Sequence, residues 1–234
     1  MATISENIQQ LHERIERACL QASRPVHSVT LLAVTKTFGP LDVRQAFEAG
    51  EHRFGENYVQ EAVDKIDALA DLRDRLEWHM IGPLQSNKTR VVAERFDWVH
   101  SVDRLKIAQR LSDQRPASLP PLNVCLQVNI SGEDTKSGLS AEELPEVARQ
   151  VAALPRLRLR GLMAIPEPAA TLDEQRVPHR ALAALRDAIA REYSLTLDTL
   201  SMGMSADMEA AILEGATMVR VGSAIFGSRP RPGG

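Results

Sequence analysis

Cysteine is scarce in this sequence: among 234 residues only Cys19 and Cys125 occur, one in a predicted helix and one in a predicted buried strand. They lack the spacing of cysteines that ligate zinc, and they do not suggest a disulfide framework. The six histidines are scattered along the chain without the short spacing that metal ligands show. We therefore expect no bound metal.

Long apolar runs and clusters of basic residues are missing as well. No apolar stretch reaches the roughly 20 residues that a membrane span needs, and the first 20 residues show the apolar spacing of an amphipathic helix, not of a signal peptide. The formal net charge of -3 lacks the basic character of a nucleic-acid binder. We expect a cytoplasmic protein with a small ligand, and neither a membrane nor a nucleic acid as partner.

What the sequence does contain is a regular alternation of short apolar segments with longer amphipathic ones. Eight segments predict strands: 29–36, 52–56, 77–82, 97–102, 122–129, 158–165, 198–204 and 217–224. Pro40 can open one intervening helix that Gly50 closes, and Ser205 can cap another that Gly215 closes.

The pattern predicts an α/β fold, a (β/α)8 TIM barrel, with an open doubly wound sheet as the alternative. The count of eight favours the barrel, as do the lack of a glycine-rich fingerprint after the first strand and the polar residues at strand ends. We expect residues 1–234 to form a single domain. Residues 1–24 would supply an extra N-terminal helix packed on the barrel, and residues 229–234 a flexible tail.

Functional residues of such a barrel lie at the carboxyl ends of its strands. Lys36 follows the first strand and shares the parity of Leu32 and Val34, so all three point to one side if the strand is regular. Lys36 is either a lysine that extends from the barrel mouth into solvent, or a partly desolvated amine whose pKa falls so that it attacks a carbonyl. Its position alone leaves both interpretations open.

The turns after the seventh and eighth strands are rich in small polar residues, in the region where barrels often bind phosphate. They contain Ser201, Gly203, Gly222 and Ser223. The alternative is that the glycines only form tight turns. Arg220 lies within the last strand, where its charge needs a partner. That partner is either a carboxylate or a ligand atom with a lone pair, such as a pyridine nitrogen.

An amine, a phosphate-binding turn and a buried arginine at one barrel mouth are what a pyridoxal 5'-phosphate site requires. The chain closely resembles the pyridoxal phosphate homeostasis protein family, whose fold is similar to the N-terminal barrel of alanine racemase. The segments that carry the resemblance run from residue 31 to 227 and are "LLAVTKT", "FGENYVQE", "WHMIGPLQSNK", "VNISGEDTKSG", "RGLMAIPEP" and "LSMGMSADMEAAILEGATMVRVGSAIFG".

The resemblance implies a role for each matching residue. Lys36 would hold the cofactor as an internal aldimine, Arg220 would face its pyridine nitrogen, and Asn57 would lie beside its ring. The phosphate contacts would come from Ser201, Gly222 and Ser223, with Gly203 in the same cofactor-binding turn. Lys136, on a loop after the fifth strand, would take part in cofactor exchange. Phe38 stands where many relatives carry a second lysine, so a transfer role at that position is not expected here.

A cofactor site alone does not make an enzyme. Racemisation needs acid and base groups on both faces of the substrate, and in the racemases that this barrel resembles, a tyrosine comes from a second domain for which this chain has no room. An arginine at the ring nitrogen also weakens the cofactor as an electron sink. We therefore expect no catalytic residues.

The sequence and the resemblance together predict a monomer that buffers pyridoxal phosphate or delivers it to apo-enzymes. The alternatives are a pyridoxal-phosphate-dependent amino-acid racemase, a Schiff-base aldolase that uses a barrel lysine, and a protein–protein adaptor.

Overall fold

Eight parallel strands close into a barrel in the order β1 to β8 in the computed structural model, which describes residues 2–132 and 137–227. The strands are β1 Thr30–Val34, β2 Arg53–Glu56, β3 Glu77–Met80, β4 Trp98–Val102, β5 Leu122–Gln127, β6 Leu157–Met163, β7 Thr199–Ser201 and β8 Met218–Val221. Seven of the predicted apolar segments contain a whole strand. The segment 158–165 contains all of β6 except its first residue, Leu157. The barrel is therefore confirmed, and the open-sheet alternative is wrong.

Helices connect the strands and cover the outside of the barrel. They are α1 Ile4–Gln21, α2 Pro40–Glu48, α3 Val59–Ala68, α4 Thr89–Arg95, α5 Leu105–Gln114, α6 Leu144–Ala152, α7 Leu172–Glu192, α8 Met208–Leu213 and α9 Ser223–Phe226. The largest hydrophobic cluster contains outward-facing residues such as Leu31 and Ala33 of β1 together with the buried faces of the helices. The main core thus lies between the sheet and the helical layer, as in other barrels.

The barrel interior is lined by the alternate residues of each strand. Leu32 and Val34 of β1 form a separate buried cluster with Ile81 and Met218. In the β1–β8 pairing, Leu32 lies beside Arg220. The parity predicted from sequence therefore holds, and the strand aims the position of Lys36 towards the inside of the barrel mouth.

The first helix, α1, packs against the outside of the barrel beside the last two helices of the fold. Thr3 and Glu6 form a capping box at its start, which satisfies backbone N–H groups that a helix leaves unpaired. The Asn7 amide donates to Ile225 O in α9 (2.8 Å), and Arg14 pairs with Glu209 of α8 (2.8 Å). This helix therefore supports the same two elements that form one side of the barrel mouth.

The prediction that Ser205 caps a helix was wrong. Helix α8 begins at Met208 with Asp207 as its N-cap residue, because residues 205–207 form a turn that precedes it. The other predicted boundaries agree with the structure: Pro40 opens α2, and both Gly50 (φ 102°) and Gly215 (φ 97°) adopt the left-handed conformation that ends a helix.

The described residues contain no helix that is long and apolar enough to cross a membrane. They also contain no group of three or more His, Cys, Asp or Glu side chains placed to hold a metal. Residues 229–234, predicted as a tail, lie outside the described residues, so the single-domain division of 1–234 stays a prediction.

Candidate functional site

A cavity of about 330 Å³ lies at the carboxyl ends of the strands. Its lining comes from the segments after β1, β2, β3, β6, β7 and β8, and includes Lys36, Asn57, Arg220, Gly222 and Ser223. The structure thus brings together five of the residues predicted for the site. Ser201 and Gly203 are buried and do not line it, and Lys136 lies outside the described residues.

A larger depression of about 610 Å³ lies at the opposite end of the barrel, where the strands begin. Its arginines are engaged by their own neighbours: Arg73 donates to Asp97 (3.0 Å), and Arg115 donates to the carbonyls of Ala93 and Phe96. The functional ends of barrel strands are the carboxyl ends. The smaller cavity is therefore the candidate site.

Lys36 lies in a tight turn that follows β1. Phe38 N donates to Thr35 O (3.0 Å) across this turn, and Thr37 has a positive φ of 71°. A β-branched residue in this region of backbone space is a genuine outlier, and such strain costs on the order of 1–3 kcal/mol and concentrates at functional sites. The strained turn that carries Lys36 therefore persists only if contacts with neighbouring residues hold it in place.

That support is an ionic cluster in which the buried Glu56 and Lys65 meet the partly exposed Glu61. Lys65 Nζ donates to Glu56 Oε1 (2.7 Å), Glu61 Oε1 (2.6 Å) and Thr35 O (2.6 Å). The Thr35 hydroxyl donates to Glu56 Oε1 (2.5 Å), and Thr37 N donates to Glu61 Oε1 (2.6 Å). The cluster therefore holds the backbone or side chain of the residues on both sides of Lys36. Burial raises the pKa of Glu56, and the charge of Lys65 opposes that rise.

The sequence interpretation missed this cluster, although a signal for Lys65 was present. Lys65 stands on α3 among Ala62, Ile66 and Leu69, which are spaced as one helix face and are all buried. A lysine on the apolar face of a helix needs a buried partner, and Glu56 at the end of a buried strand supplies it.

Asn57 and Gly222 shape the cavity wall on the two sides of β1. Asn57 Oδ1 is buried and has no hydrogen-bond partner among the described residues, which is unusual for a buried amide and leaves it able to interact with a ligand. A Cβ built at Gly222 would lie 2.9 Å from Val34 O. Only glycine lets the end of β8 approach β1 this closely.

Two serine hydroxyls face each other at the rim of the cavity. Ser205 Oγ lies 3.5 Å from Ser223 Oγ, and both residues line the cavity. The turn that carries Ser205 is held by Asp207, whose Oδ1 accepts from Met204 N (2.7 Å) while its Oδ2 bonds to His179 Nε2 (2.9 Å). Ser223 begins helix α9, whose first-turn N–H groups favour an anion. Ser205 was missed as a site residue because it was interpreted as a helix cap.

Arg220 lines the cavity although its side chain is only 4% exposed. Its Nη1 donates to Ser201 Oγ (2.8 Å) and its Nη2 to Ala164 O (2.8 Å), both neutral acceptors. No carboxylate among the described residues forms an ion pair with it, so the alternative of a carboxylate partner was wrong for this part of the chain. Burial lowers the pKa of Arg220 to about 10, and the Asp207 carboxylate opposes that effect. The guanidinium therefore remains charged at neutral pH.

The charge of the cavity follows from its lining. Of the residues in the described ranges, Lys36 and Arg220 are the cationic ones that line it, and no carboxylate does. A positive cavity with serine hydroxyls and a helix N-terminus at its rim favours an anionic ligand. A primary amine, an unpaired amide oxygen and a buried guanidinium are also present. The donor set fits pyridoxal 5'-phosphate, and the volume falls within the range of about 300–1,000 Å³ typical of small-molecule sites.

Aromatic residues contribute to one wall of the cavity and not to its chemistry. Phe38 lines the cavity and packs on Phe226, with ring centroids 5.0 Å apart. Tyr58 is the N-cap residue of α3 and is 57% exposed, while Tyr193 is the C-cap residue of α7. Neither tyrosine is among the described residues that line the cavity.

Comparisons with known proteins agree with the fold. Residues 2–230 match the family model described as alanine racemase, N-terminal domain. The chain is 61% identical over 229 residues to the pyridoxal phosphate homeostasis protein of Pseudomonas aeruginosa, covering 98% of this chain and 97% of that one.

Among solved structures, the chain is similar to PipY of Synechococcus elongatus with pyridoxal phosphate bound. The TM-score is 0.83 at 36% identity, covering 96% of this chain and 100% of that one. Alanine racemase of Corynebacterium glutamicum shares the fold with a TM-score of 0.64 at 21% identity, and the match covers 95% of this chain and 62% of that enzyme.

Proposed function

The chain belongs to the pyridoxal phosphate homeostasis protein family, and on that basis we propose that it binds pyridoxal 5'-phosphate through Lys36 and acts in vitamin B6 homeostasis. The observation that carries this proposal is the common cavity of Lys36, Asn57, Arg220 and Ser223. When bound, the cofactor supplies an aldehyde that a primary amine can hold reversibly.

Among the lysines that the structure describes, Lys36 is the best suited to hold that aldehyde. Lys65 is buried, and its three N–H groups are engaged by Thr35, Glu56 and Glu61. Lys88 and Lys106 are exposed and do not line the cavity. Lys36 is half-buried at the mouth, so a small amine from solvent can reach the cofactor there and release it.

The remaining residues would hold the other parts of the cofactor. Ser223, with Gly222 beside it at the start of α9, would bind the phosphate, and Arg220 would donate a hydrogen bond to the ring nitrogen. A guanidinium donates and does not give up its proton at neutral pH, so it would keep the ring nitrogen unprotonated. The opposing Ser205 hydroxyl is a further phosphate contact.

We further propose that the protein stores or delivers the cofactor and does not catalyse efficient amino-acid turnover. Racemisation needs a second acid/base group opposite the lysine. No tyrosine, histidine or carboxylate of residues 2–132 and 137–227 lines the cavity. The names of the relatives support the same role.

The proposal includes a cytoplasmic location, a monomeric state and apo-enzymes as recipients of the cofactor. Size-exclusion chromatography with light scattering tests the monomer. The loaded protein is either mixed directly with an apo-enzyme or separated from it by a dialysis membrane. Comparing the two arrangements tests whether transfer of the cofactor needs contact.

Trapping of the cofactor tests the covalent link. Purified protein is loaded with pyridoxal phosphate, reduced with borohydride, digested and analysed by mass spectrometry, with the near-visible spectrum recorded before reduction. We expect one labelled peptide, containing Lys36, and an absorption band that Lys36→Ala lacks. Lys106→Ala, which removes an exposed lysine outside the cavity, serves as the matched control and should keep both signals.

Two outcomes would contradict the proposal. One is a wild-type protein that takes up no pyridoxal phosphate. The other is a label on Lys65, Lys88 or Lys106 with the band intact in Lys36→Ala. Turnover of a D- or L-amino acid that disappears in Lys36→Ala would instead support the racemase alternative.

A further inference from the structure

A row of hydrogen-bonded side chains runs through the barrel interior from its floor, where the strands begin, to the cavity. The floor-to-cavity chain consists of Glu77, His79, His100 and Ser201, and it ends on Arg220. The linking distances are 2.8 Å from Glu77 Oε1 to His79 Nε2, 2.9 Å from His79 Nδ1 to His100 Nε2 and 2.7 Å from His100 Nδ1 to Ser201 Oγ. Arg220 Nη1 donates to Ser201 Oγ over 2.8 Å.

The floor-to-cavity chain is closed to solvent except at its floor end. His79, His100 and Ser201 are fully buried, whereas the Glu77 side chain is 39% exposed beside Arg53. Trp98 stacks on His79 with centroids 5.2 Å apart and planes 11° apart, which holds the ring in place. Because buried polar groups must be paired, each proton along this row has to point at an acceptor.

The direction of every hydrogen bond follows from the two charged ends. Arg220 can only donate, so Ser201 Oγ accepts from it. The Ser201 hydroxyl must then donate to His100 Nδ1, since no other acceptor for it exists among the described residues. His100 consequently carries its proton on Nε2 and donates to His79 Nδ1, and His79 in turn donates from Nε2 to Glu77.

The opposite order fails at both ends. It would require Glu77 to donate a proton, and it would leave the Ser201 hydroxyl hydrogen unpaired. Burial acts to raise the pKa of Glu77, but the hydrogen bond that it accepts from His79 and the charge of Arg53 oppose that rise, so the pKa is lowered and the carboxylate stays ionised. Burial, together with the charge of Arg220, lowers the pKa of His100 well below its ordinary value.

We propose that the floor-to-cavity chain positions Arg220 for the cofactor, with both of its histidines neutral and carrying their single proton on Nε2. The inference rests on the proposed function for the identity of the ligand, but its proton order is a property of the protein alone. In this arrangement Ser201 accepts a hydrogen bond from Arg220 and does not bind the phosphate. This differs from the phosphate contact that the family resemblance implies for Ser201.

Histidine tautomers in the cofactor-free protein test the proton order directly. Two-bond ¹⁵N–¹H correlation spectra distinguish a ring protonated on Nε2 from one protonated on Nδ1, and loss of a signal in His79→Asn or His100→Asn assigns it. We expect both rings to be neutral Nε2–H tautomers at neutral pH. A ring protonated on Nδ1, or on both nitrogens, would overturn the proposal.

Removal of the negative charge of Glu77 tests whether this carboxylate sets the direction of the hydrogen bonds along the floor-to-cavity chain. Glutamine can donate as well as accept, so Glu77→Gln removes the restraint at the floor and leaves only the one at Ser201 and Arg220. A minor Nδ1–H form of the two histidines should therefore appear. Asp198→Asn is the matched control, because Asp198 is also a floor carboxylate, 48% exposed and paired with an arginine, but bonds to no histidine among the described residues. An unchanged tautomer pattern in Glu77→Gln would show that the carboxylate does not order the protons.

Comparison of pyridoxal phosphate with pyridoxal separates a positioning role of Ser201 from a phosphate contact. If Ser201 positions Arg220, Ser201→Ala should weaken binding of both ligands by the same factor, about tenfold, as expected for a lost hydrogen bond to a charged group. Ser223→Ala should weaken only the phosphorylated ligand. A loss confined to pyridoxal phosphate in Ser201→Ala, or no loss at all, would overturn the positioning role.

The two readouts keep this inference distinct from the proposed function. If wild-type protein fails to bind pyridoxal phosphate while the tautomers are as expected, the proposed function fails and the proton order stands. If the protein binds the cofactor on Lys36 but the tautomers differ, the inference fails alone.

Discussion

Replacement of Lys65 by methionine tests the ionic cluster beneath Lys36. Lys65 is 3% exposed and Glu56 is fully buried, so Lys65→Met leaves a carboxylate without its counter-charge in the interior. It also removes the donor for Thr35 O. Breaking a buried pair by removing one partner costs about 3–5 kcal/mol, which for a chain of this size lowers Tm by roughly 10 °C.

The assay is urea unfolding of the cofactor-free protein, followed by the fluorescence of Trp78 and Trp98. Cofactor-free protein is needed because a bound ligand adds its own stabilisation. Lys106→Met on the exposed face of α5 is the matched control, and it should change the free energy of unfolding by less than about 0.5 kcal/mol.

Glu56→Gln completes a double-mutant cycle with Lys65→Met. Neutralising both partners removes the uncompensated charge, so the double variant should lose about 1–3 kcal/mol less than the two single losses added together. The deficit of Lys65→Met should also shrink in acid. An acid whose folded-state pKa is raised contributes stability that is present below the unfolded pKa and is lost as pH rises through the folded value. Lys65 supplies the two largest effects that oppose the rise in the pKa of Glu56, so removing Lys65 raises that pKa further.

The reasoning would be refuted by a loss below about 1 kcal/mol in Lys65→Met, since that is the range of an exposed ion pair. Strict additivity in the cycle would refute it as well, because two residues 2.7 Å apart that share one buried bond cannot be energetically independent.

Two further predictions concern the barrel interior and the turn after β7. Burial lowers the pKa of His100 below its ordinary value of 6.5, so its contribution to stability is present above that value and is lost as pH falls through the folded-state pKa. The urea midpoint should therefore fall less steeply on acidification in His100→Asn than in wild type, and an equal slope would contradict the buried neutral state. Gly203→Ala should cost about 2–4 kcal/mol, because φ is 91° and the new Cβ would lie 2.5 Å from a neighbouring side chain. Gly215 has a φ of 97°, but a Cβ added there would meet no atom closer than 4.0 Å. Gly215→Ala should therefore lose only the free energy of placing alanine at a positive φ, about 1 kcal/mol in the same denaturation assay.

The barrel could be predicted because each of its strands has a recognisable pattern in the sequence. A strand of a parallel barrel is covered on both faces, so it appears as a short, nearly continuous apolar run, and the parity of residues along it shows which side chains share the interior. This is why the sequence alone could place Lys36 and Arg220 at one mouth. The same logic could not locate the start of α8, since Ser205 and Asp207 both suit a helix cap and only the tertiary contact of Asp207 with His179 decides between them.

The supports of the site were harder to predict because they depend on contacts between distant residues. Lys65 carried a local signal, a cation on an apolar helix face. Ser201 carried none, since a serine at the end of a strand can equally bind a phosphate or a buried guanidinium. Its actual partners, His100 and Arg220, stand 101 and 19 positions away in sequence. Only the closed barrel brings them within hydrogen-bond distance.

The two cations of the cavity are supported in opposite ways, and the difference bears on what the cavity binds. The turn of Lys36 rests on an ionic cluster whose charges lie behind the backbone and outside the cavity lining. Arg220 is held by a hydroxyl and a carbonyl and forms no ion pair with a carboxylate of the described residues. A carboxylate in place of Ser201 would hold the guanidinium more firmly, but it would also cancel the charge that acts on the cavity. Neutral acceptors fix the orientation of Arg220 and leave its field directed at the ligand, which favours an anion such as a phosphorylated aldehyde over a neutral one.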